Sequence, residues 1–164
     1  MHDLLVIGAG PVGLACAIEA KREGLSSIVI DKGTLVNSIV GYPTNMEFFS
    51  TPELIEIGNH PFPIPHYKPT REDAVEYYRT VVAREQLDVR LYEMVLDVRG
   101  QRGDFTVTSS RGEHRCRHIV LSTGFFIWWQ FIRKEDPADR PRAKKIIPQG
   151  PAMAVPKGRV RSGR

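Results

Sequence analysis

Residues 3–31, DLLVIGAGPVGLACAIEAKREGLSSIVID, decide how this chain folds. Asp3 to Gly8 is a short apolar run ending in glycine, as expected of a central parallel strand buried on both faces. From Pro11 to Gly24 the period changes. Val12, Ala15, Cys16, Ile18 and Ala20, set against Glu19, Lys21, Arg22 and Glu23, predict a helix with one packed face, closed by Gly24. Ser27–Asp31 is a second apolar strand. Strand, glycine turn, helix and strand in this order make one βαβ unit, whose crossover is expected to be right-handed.

The turn inside that unit is Gly8-Ala9-Gly10-Pro11-Val12-Gly13, a GxGxxG lying between a predicted strand and a predicted helix. Gly8 permits the tight turn, Gly10 lets the backbone approach a pyrophosphate, and Gly13 allows the helix to pack closely on the strand. The helix N-terminus adds unpaired N–H groups and a partial positive charge. Asp31 stands eighteen positions after Gly13, at the end of the second strand, where a carboxylate can accept hydrogen bonds from an adenosine ribose. A negative charge there disfavours a 2′-phosphate, so the ligand is expected to be FAD or NAD rather than NADP.

Outward from this unit, residues 32–69 are rich in Gly, Pro, Asn and Thr and too long for a plain connector. Their aromatics, Tyr42, Phe48, Phe49, Phe62 and Tyr67, argue for an ordered loop. Thr70 followed by Glu72 and Asp73 marks a helix start, and Ala74, Val75, Tyr78, Val81 and Val82 give that helix a packed face to about Glu85. Strand-like runs follow at Val89–Tyr92, Met94–Val98 and Phe105–Thr108, with a turn at Arg99–Asp104. Arg115–Cys116 adds a candidate third strand to a small antiparallel meander. His118–Ser122 then reads as a separate return strand into the parallel sheet, ending at Thr123–Gly124. The predicted class is α/β, a Rossmann-like βαβ with a parallel sheet plus a small antiparallel β-meander.

The 164-residue chain carries a net charge of +4 that is unevenly spread. Residues 133–164 hold ten Lys/Arg, three Asp/Glu and five prolines, a net of +7, leaving −3 for residues 1–132. The basic character therefore belongs to a segment, 127–164, expected to be an irregular, disordered tail, and a nucleic-acid partner is not expected. Neither an apolar run of membrane-spanning length nor a signal peptide is present, so the expectation is no membrane and a cytoplasmic protein. Cys16 and Cys116 form no CxxC, and the five histidines fall in no ligand spacing, which argues against a disulfide scaffold or a metal site.

The order GAGPVGLACAIEAKREGL, IDKGTLVNSI, GYPTNMEFFST, KPTREDAVEYYR and IVLSTGF resembles the FAD half of bacillithiol-disulfide-reductase-like flavoproteins, relatives of thioredoxin reductase, over residues 3 to about 126. The resemblance implies that Gly8, Gly10, Pro11 and Gly13 hold the FAD pyrophosphate, and Asp31 and Lys32 the adenosine end. It further implies that Val95 contacts adenine through its backbone. Asn37, Ser38, Tyr42, Pro43 and Thr44 are implied on the flavin side, and Thr123 and Gly124 as the second dinucleotide-fold motif. The implied parent reaction passes hydride from NADPH to flavin and electrons to a low-molecular-weight disulfide, and the family allows a homo-oligomer of full-length chains. Two departures stand out. Val12 replaces a cysteine that some relatives carry in the glycine loop, and no second GxGxxG follows Gly13. The NADPH domain is therefore expected to be missing after the TGF motif, leaving residues 1–126 an incomplete FAD-binding domain that is inactive alone. The alternatives are a flavin-monooxygenase-like segment, or a non-catalytic remnant that binds a nucleotide or a partner. No catalytic acid, base or nucleophile is assigned, because the cofactor carries the redox chemistry in such enzymes.

Overall fold

A computed structural model describes residues 1–124. The expected tail, and the domain boundary at 126, lie outside the described residues. Ten elements follow one another: β1 (His2–Ile7), α1 (Pro11–Arg22), β2 (Ser27–Ile30), α2 (Asn37–Val40), α3 (Pro52–Ile55), α4 (Arg71–Glu85), β3 (Val89–Arg90), β4 (Val95–Gln101), β5 (Asp104–Ser109) and β6 (Gly112–Leu121). The strands form one sheet in the order β3-β2-β1-β6-β5-β4. β1 runs parallel to both β2 and β6, β3 runs parallel to β2, and β4, β5 and β6 are antiparallel. The α/β class with a parallel sheet and an antiparallel meander is as the sequence predicts.

Alternation along the central strands divides the core in two. Leu5, Ile7, Ile28 and Ile30 face the meander and pack with Val107 and Cys116, against which Val95 and Phe105 also lie. Val6 and Val29 face the other way and pack with Ala9 and with Ala17 of α1. Because each strand residue covers one face or the other, both faces must be covered, and continuous apolar runs such as LLVI and SIVI follow from that. Burying each large side chain here contributes about 1.5–3 kcal/mol relative to leaving it in water. Behind α1, Leu14 and Ile18 meet Tyr77, Tyr78 and Val81 of α4 in a further cluster.

The seating of α1 differs from the expected face. Its buried residues are Gly13, Leu14, Ala17, Ile18 and Ala20, while Val12 is 67% exposed and Ala15 and Cys16 are half-buried. A Cβ at Gly13 would sit 2.0 Å from the Gly8 carbonyl oxygen, so the helix turns its bare position toward the strand. Val12, Leu14, Ala15, Cys16, Ala17, Ile18 and Ala20 are all apolar, so hydropathy alone does not select which face of this helix is packed.

The two strands expected at Arg115–Cys116 and His118–Ser122 are a single one. β6 pairs with β5 from Gly112 to Cys116 and with β1 from Cys116 to Leu121. Arg117, which separates the two expected strands, is an exposed residue of a continuing one. The strand expected over Val89–Tyr92 is shorter, since Tyr92 adopts a left-handed conformation, φ 55°.

The 32–69 segment is held at several points. Phe48 N–H donates to the Pro69 carbonyl at 2.8 Å, and the hydroxyls of Tyr77 and Tyr78 donate to the His60 and Ile55 carbonyls at 2.8 and 2.9 Å. Of its aromatics, Phe62 is buried and stacks on Tyr77 at 4.2 Å, whereas Phe49 and Tyr67 are exposed.

Candidate functional site

The C-terminal ends of β2, β1 and β6 lie side by side, and the chain leaving each one contributes to the same place. After β1, Gly8 takes φ +113°, and a Cβ there would meet the Ser122 carbonyl oxygen at 2.4 Å. Gly8 therefore meets two requirements, an unusual backbone angle and a close approach to the strand next door. Gly10 caps α1 with ordinary extended angles, φ −82° and ψ 175°, and nothing lies within 4 Å of where its Cβ would be. No side chain caps this helix. A helix start without a side-chain cap leaves backbone N–H groups available to an anion.

Asp31, at the end of β2, accepts the Ala9 N–H at 2.7 Å through Oδ2 and the Gly33 N–H at 2.8 Å through Oδ1. The carboxylate is thus held against the glycine loop with lone pairs left for further donors. After β6, the Ser122 N–H donates to the Ile7 carbonyl at 2.8 Å, and its hydroxyl lies 2.9 Å from the Gly8 carbonyl and 3.1 Å from that of Ile7. Thr123 and Gly124 follow directly, Gly124 with φ +78°. Just before α2, the Val36 N–H donates to the Ala9 carbonyl at 3.0 Å.

Gly8, Gly10, Pro11, Gly13, Asp31, Thr123 and Gly124 are therefore grouped around one loop. Lys32 is exposed beside Asp31. Asn37 and Ser38 open α2, and Asn37 Oδ1 accepts from the Thr34 hydroxyl at 3.1 Å. Tyr42, Pro43 and Thr44 are exposed beyond the end of α2, and hydrogen bonds tie this stretch to α4: Arg71 Nη1 donates to the Val40 and Tyr42 carbonyls at 3.2 and 3.3 Å. Val95 is half-buried at the start of β4, and the segment leading to it is pinned to β2, since Glu93 N–H donates to the Asp31 carbonyl at 2.9 Å.

Four residues with a part in this arrangement carried no assignment from sequence. Ser122 had a signal, a small hydroxyl residue closing the last strand immediately before Thr-Gly. Arg71 and Glu93 had none, because long charged residues usually read as solvated. Val36 had none either: it is a buried β-branched residue in the left-handed region, φ 46° and ψ 44°, a genuine outlier for such a side chain. Glu93 is only 3% exposed, and its carboxylate takes the Ser109 hydroxyl at 2.5 Å and His114 Nε2 at 2.7 Å. Burial pushes this carboxyl up, but the bonds from Ser109 and His114 outweigh it and hold it below the usual range.

Among the described residues no group of three or more His, Cys, Asp or Glu side chains could hold a metal ion. No described helix is long and apolar enough to cross a membrane. Cys16 and Cys116 are both free thiols, and burial pushes the Cys116 thiol up.

Residues 5–132 match the pyridine nucleotide-disulphide oxidoreductase family. The chain belongs to that family. It is 40% identical over 123 residues to the bacilliredoxin reductase Bdr of Bacillus subtilis (strain 168), an overlap covering 74% of this chain and 38% of Bdr. The solved bacillithiol disulfide reductase Bdr of Staphylococcus aureus superposes with a TM-score of 0.73 at 41% identity, over 75% of this chain and 38% of that one. A flavin-containing monooxygenase from Stenotrophomonas maltophilia reaches a TM-score of 0.67 at 22% identity, over 75% of this chain and 38% of its own, which shows a shared fold alone. The chain thus spans about two-fifths of the length of the Bdr proteins it matches. The resemblance carried by GAGPVGLACAIEAKREGL and GYPTNMEFFST holds, and the chain is a Rossmann-like, disulfide-reductase-type flavoprotein segment of this family.

Proposed function

We propose that the chain binds FAD at the glycine loop and forms the flavin-holding segment of an NADPH-dependent disulfide reductase. Gly10 carries this reading. Gly8 and Gly13 are glycine for the sake of the fold, but Gly10 has an angle any residue adopts and empty space around it. Bare backbone at that point serves a ligand that comes close. The uncapped N-terminus of α1 supports the same reading, because the N–H groups of its first turn, those left once Pro11 contributes none, need acceptors and the pyrophosphate supplies them.

Gly8, Gly10, Pro11 and Gly13 would hold the pyrophosphate, Asp31 the ribose hydroxyls with Lys32 beside it, and the Val95 backbone the adenine. Asn37, Ser38, Tyr42, Pro43 and Thr44 would lie along the flavin side, with Thr123 and Gly124 passing beside the cofactor. The flavin, when bound, supplies the hydride and electron transfer; these residues bind and orient it. The hydride donor, NADPH, needs a second site, and no second GxGxxG follows Gly13 in this chain. By kinship with Bdr, whose name specifies a bacillithiol disulfide, the substrate is a low-molecular-weight disulfide, and the cytoplasmic setting expected from the sequence goes with it. Disulfide reduction is preferred over monooxygenation because identity to the reductase is 41% against 22% to the monooxygenase.

The test is the visible spectrum of the purified chain as FAD and FMN are added in turn, with the colourless NAD and NADP titrated by calorimetry. A flavin spectrum perturbed by FAD and not by FMN is expected. Binding of none of the four would overturn the assignment.

A further inference from the structure

The Gly8–Ala9 peptide group is gripped at both ends. Its carbonyl lies 2.9 Å from the Ser122 hydroxyl, and its N–H donates to Asp31 Oδ2 at 2.7 Å. A serine hydroxyl has one proton to donate. The Gly8 carbonyl is the nearer acceptor, 2.9 Å against 3.1 Å to the Ile7 carbonyl, which also takes the Ser122 N–H at 2.8 Å, and the shorter contact assigns the hydroxyl proton to Gly8. Space around the hydroxyl is closed, since a Cβ at Gly13 would sit 2.5 Å from Ser122 Oγ. Ser122 leaves β6, Gly8 leaves β1 and Asp31 leaves β2, so one peptide plane links three adjacent strands. Its rotation is coupled to the orientation of the Asp31 carboxylate.

We propose that Ser122 is a positioning residue for the adenosine end of the nucleotide, acting through the Gly8–Ala9 peptide to aim the Asp31 carboxylate at the ribose. The proposal rests on the nucleotide reading of this loop. Without the hydroxyl, the Gly8 carbonyl loses its donor, the peptide can rock, and the Ala9 N–H that fixes Asp31 Oδ2 shifts, leaving the carboxylate to pivot on its remaining bond from the Gly33 N–H to Oδ1. The residue touches no ligand itself. Its effect is confined to what Asp31 recognises, the ribose hydroxyls, and does not extend to the flavin.

The experiment compares the full chain with Ser122→Ala, measuring FAD affinity, the affinity ratio of ADP to 2′-deoxy-ADP, and the melting temperature without ligand. Losing one indirectly acting hydrogen bond should weaken FAD roughly threefold to tenfold. The ADP to 2′-deoxy-ADP ratio should shrink toward one. General loosening of the fold would weaken both nucleotides equally and leave that ratio unchanged. Unchanged FAD affinity in the variant, or weakened FAD with an unchanged ratio, overturns the role of Ser122 while leaving the FAD reading intact. Failure of the wild-type chain to bind either FAD or ADP overturns the nucleotide reading itself, and this proposal with it.

Discussion

Gly8, Gly10 and Gly13 share one loop but answer to different constraints, and substitution separates them. Alanine at position 10 meets nothing within 4 Å and keeps an allowed angle, so Gly10→Ala should leave the melting temperature unchanged or slightly raised. It should weaken FAD binding more than about tenfold, by placing a methyl group where the phosphate approaches. A fluorescence titration that found wild-type FAD affinity would sink the phosphate-loop assignment. Gly13→Ala acts the other way: its Cβ would lie 2.0 Å from the Gly8 carbonyl, and overpacking of this kind costs about 1–3 kcal/mol or more before any ligand is considered. The spacing of the motif already divides these roles in the sequence, and the placed neighbours add the contacts that Gly8 and Gly13 answer to. Val36 marks where that kind of reading stops. A left-handed β-branched residue costs about 1–2 kcal/mol, and nothing in the letters around it announces that its N–H must reach the Ala9 carbonyl.

The helices divide by how their N-termini are satisfied. At α4, Thr70 accepts the Asp73 N–H while the Asp73 carboxylate accepts the Thr70 N–H, a complete capping box. Burial pushes the Asp73 carboxyl up, but its bonds from Thr70 and His66 bring it below the usual range. Thr70→Ala should destabilise the protein by about 1 kcal/mol, seen as a lower urea midpoint with an unchanged slope. A shift within error would mean that the cap is replaced by solvent. This helix was readable from sequence because its cap, its acidic first turn and its apolar face are all local signals. The joining of two expected strands into β6 was not, since polar residues on the open side of a strand look like a turn until the partner strand is known. The rotation of α1 was misread because apolar residues stand on every side of its first turns, and the close approach expected at Gly13 was not used to choose among them.

Between the meander and the parallel sheet stands a buried carboxylate. Glu93 ties Ser109 and His114 of the hairpin to a segment whose backbone is bonded to Asp31. Its folded pKa is depressed, as is that of Glu85, lowered first by the bond from His60. An unfolded Glu titrates near about 4.3. The stability these groups contribute is therefore present above that value and lost as pH falls through the lower folded values. Urea unfolding followed from pH 7 to pH 3 should show stability falling below about pH 4.5. Glu93→Gln should be less stable at pH 7 by about 1.5–3 kcal/mol, the contribution of hydrogen bonds to a charged group, and should lose stability less steeply in acid. Parallel acid limbs in the two proteins would remove Glu93 from that account. The pairing of β1 with β6, closed by Ser122 against Gly8, spans 114 positions of chain. During synthesis, at about 5–20 residues per second, the first βαβ unit waits on the order of 5–20 s before β6 is made. Through that interval the loop that awaits a nucleotide lacks one wall, so a newborn chain acquires its binding site late and all at once, when the strand that completes the sheet arrives.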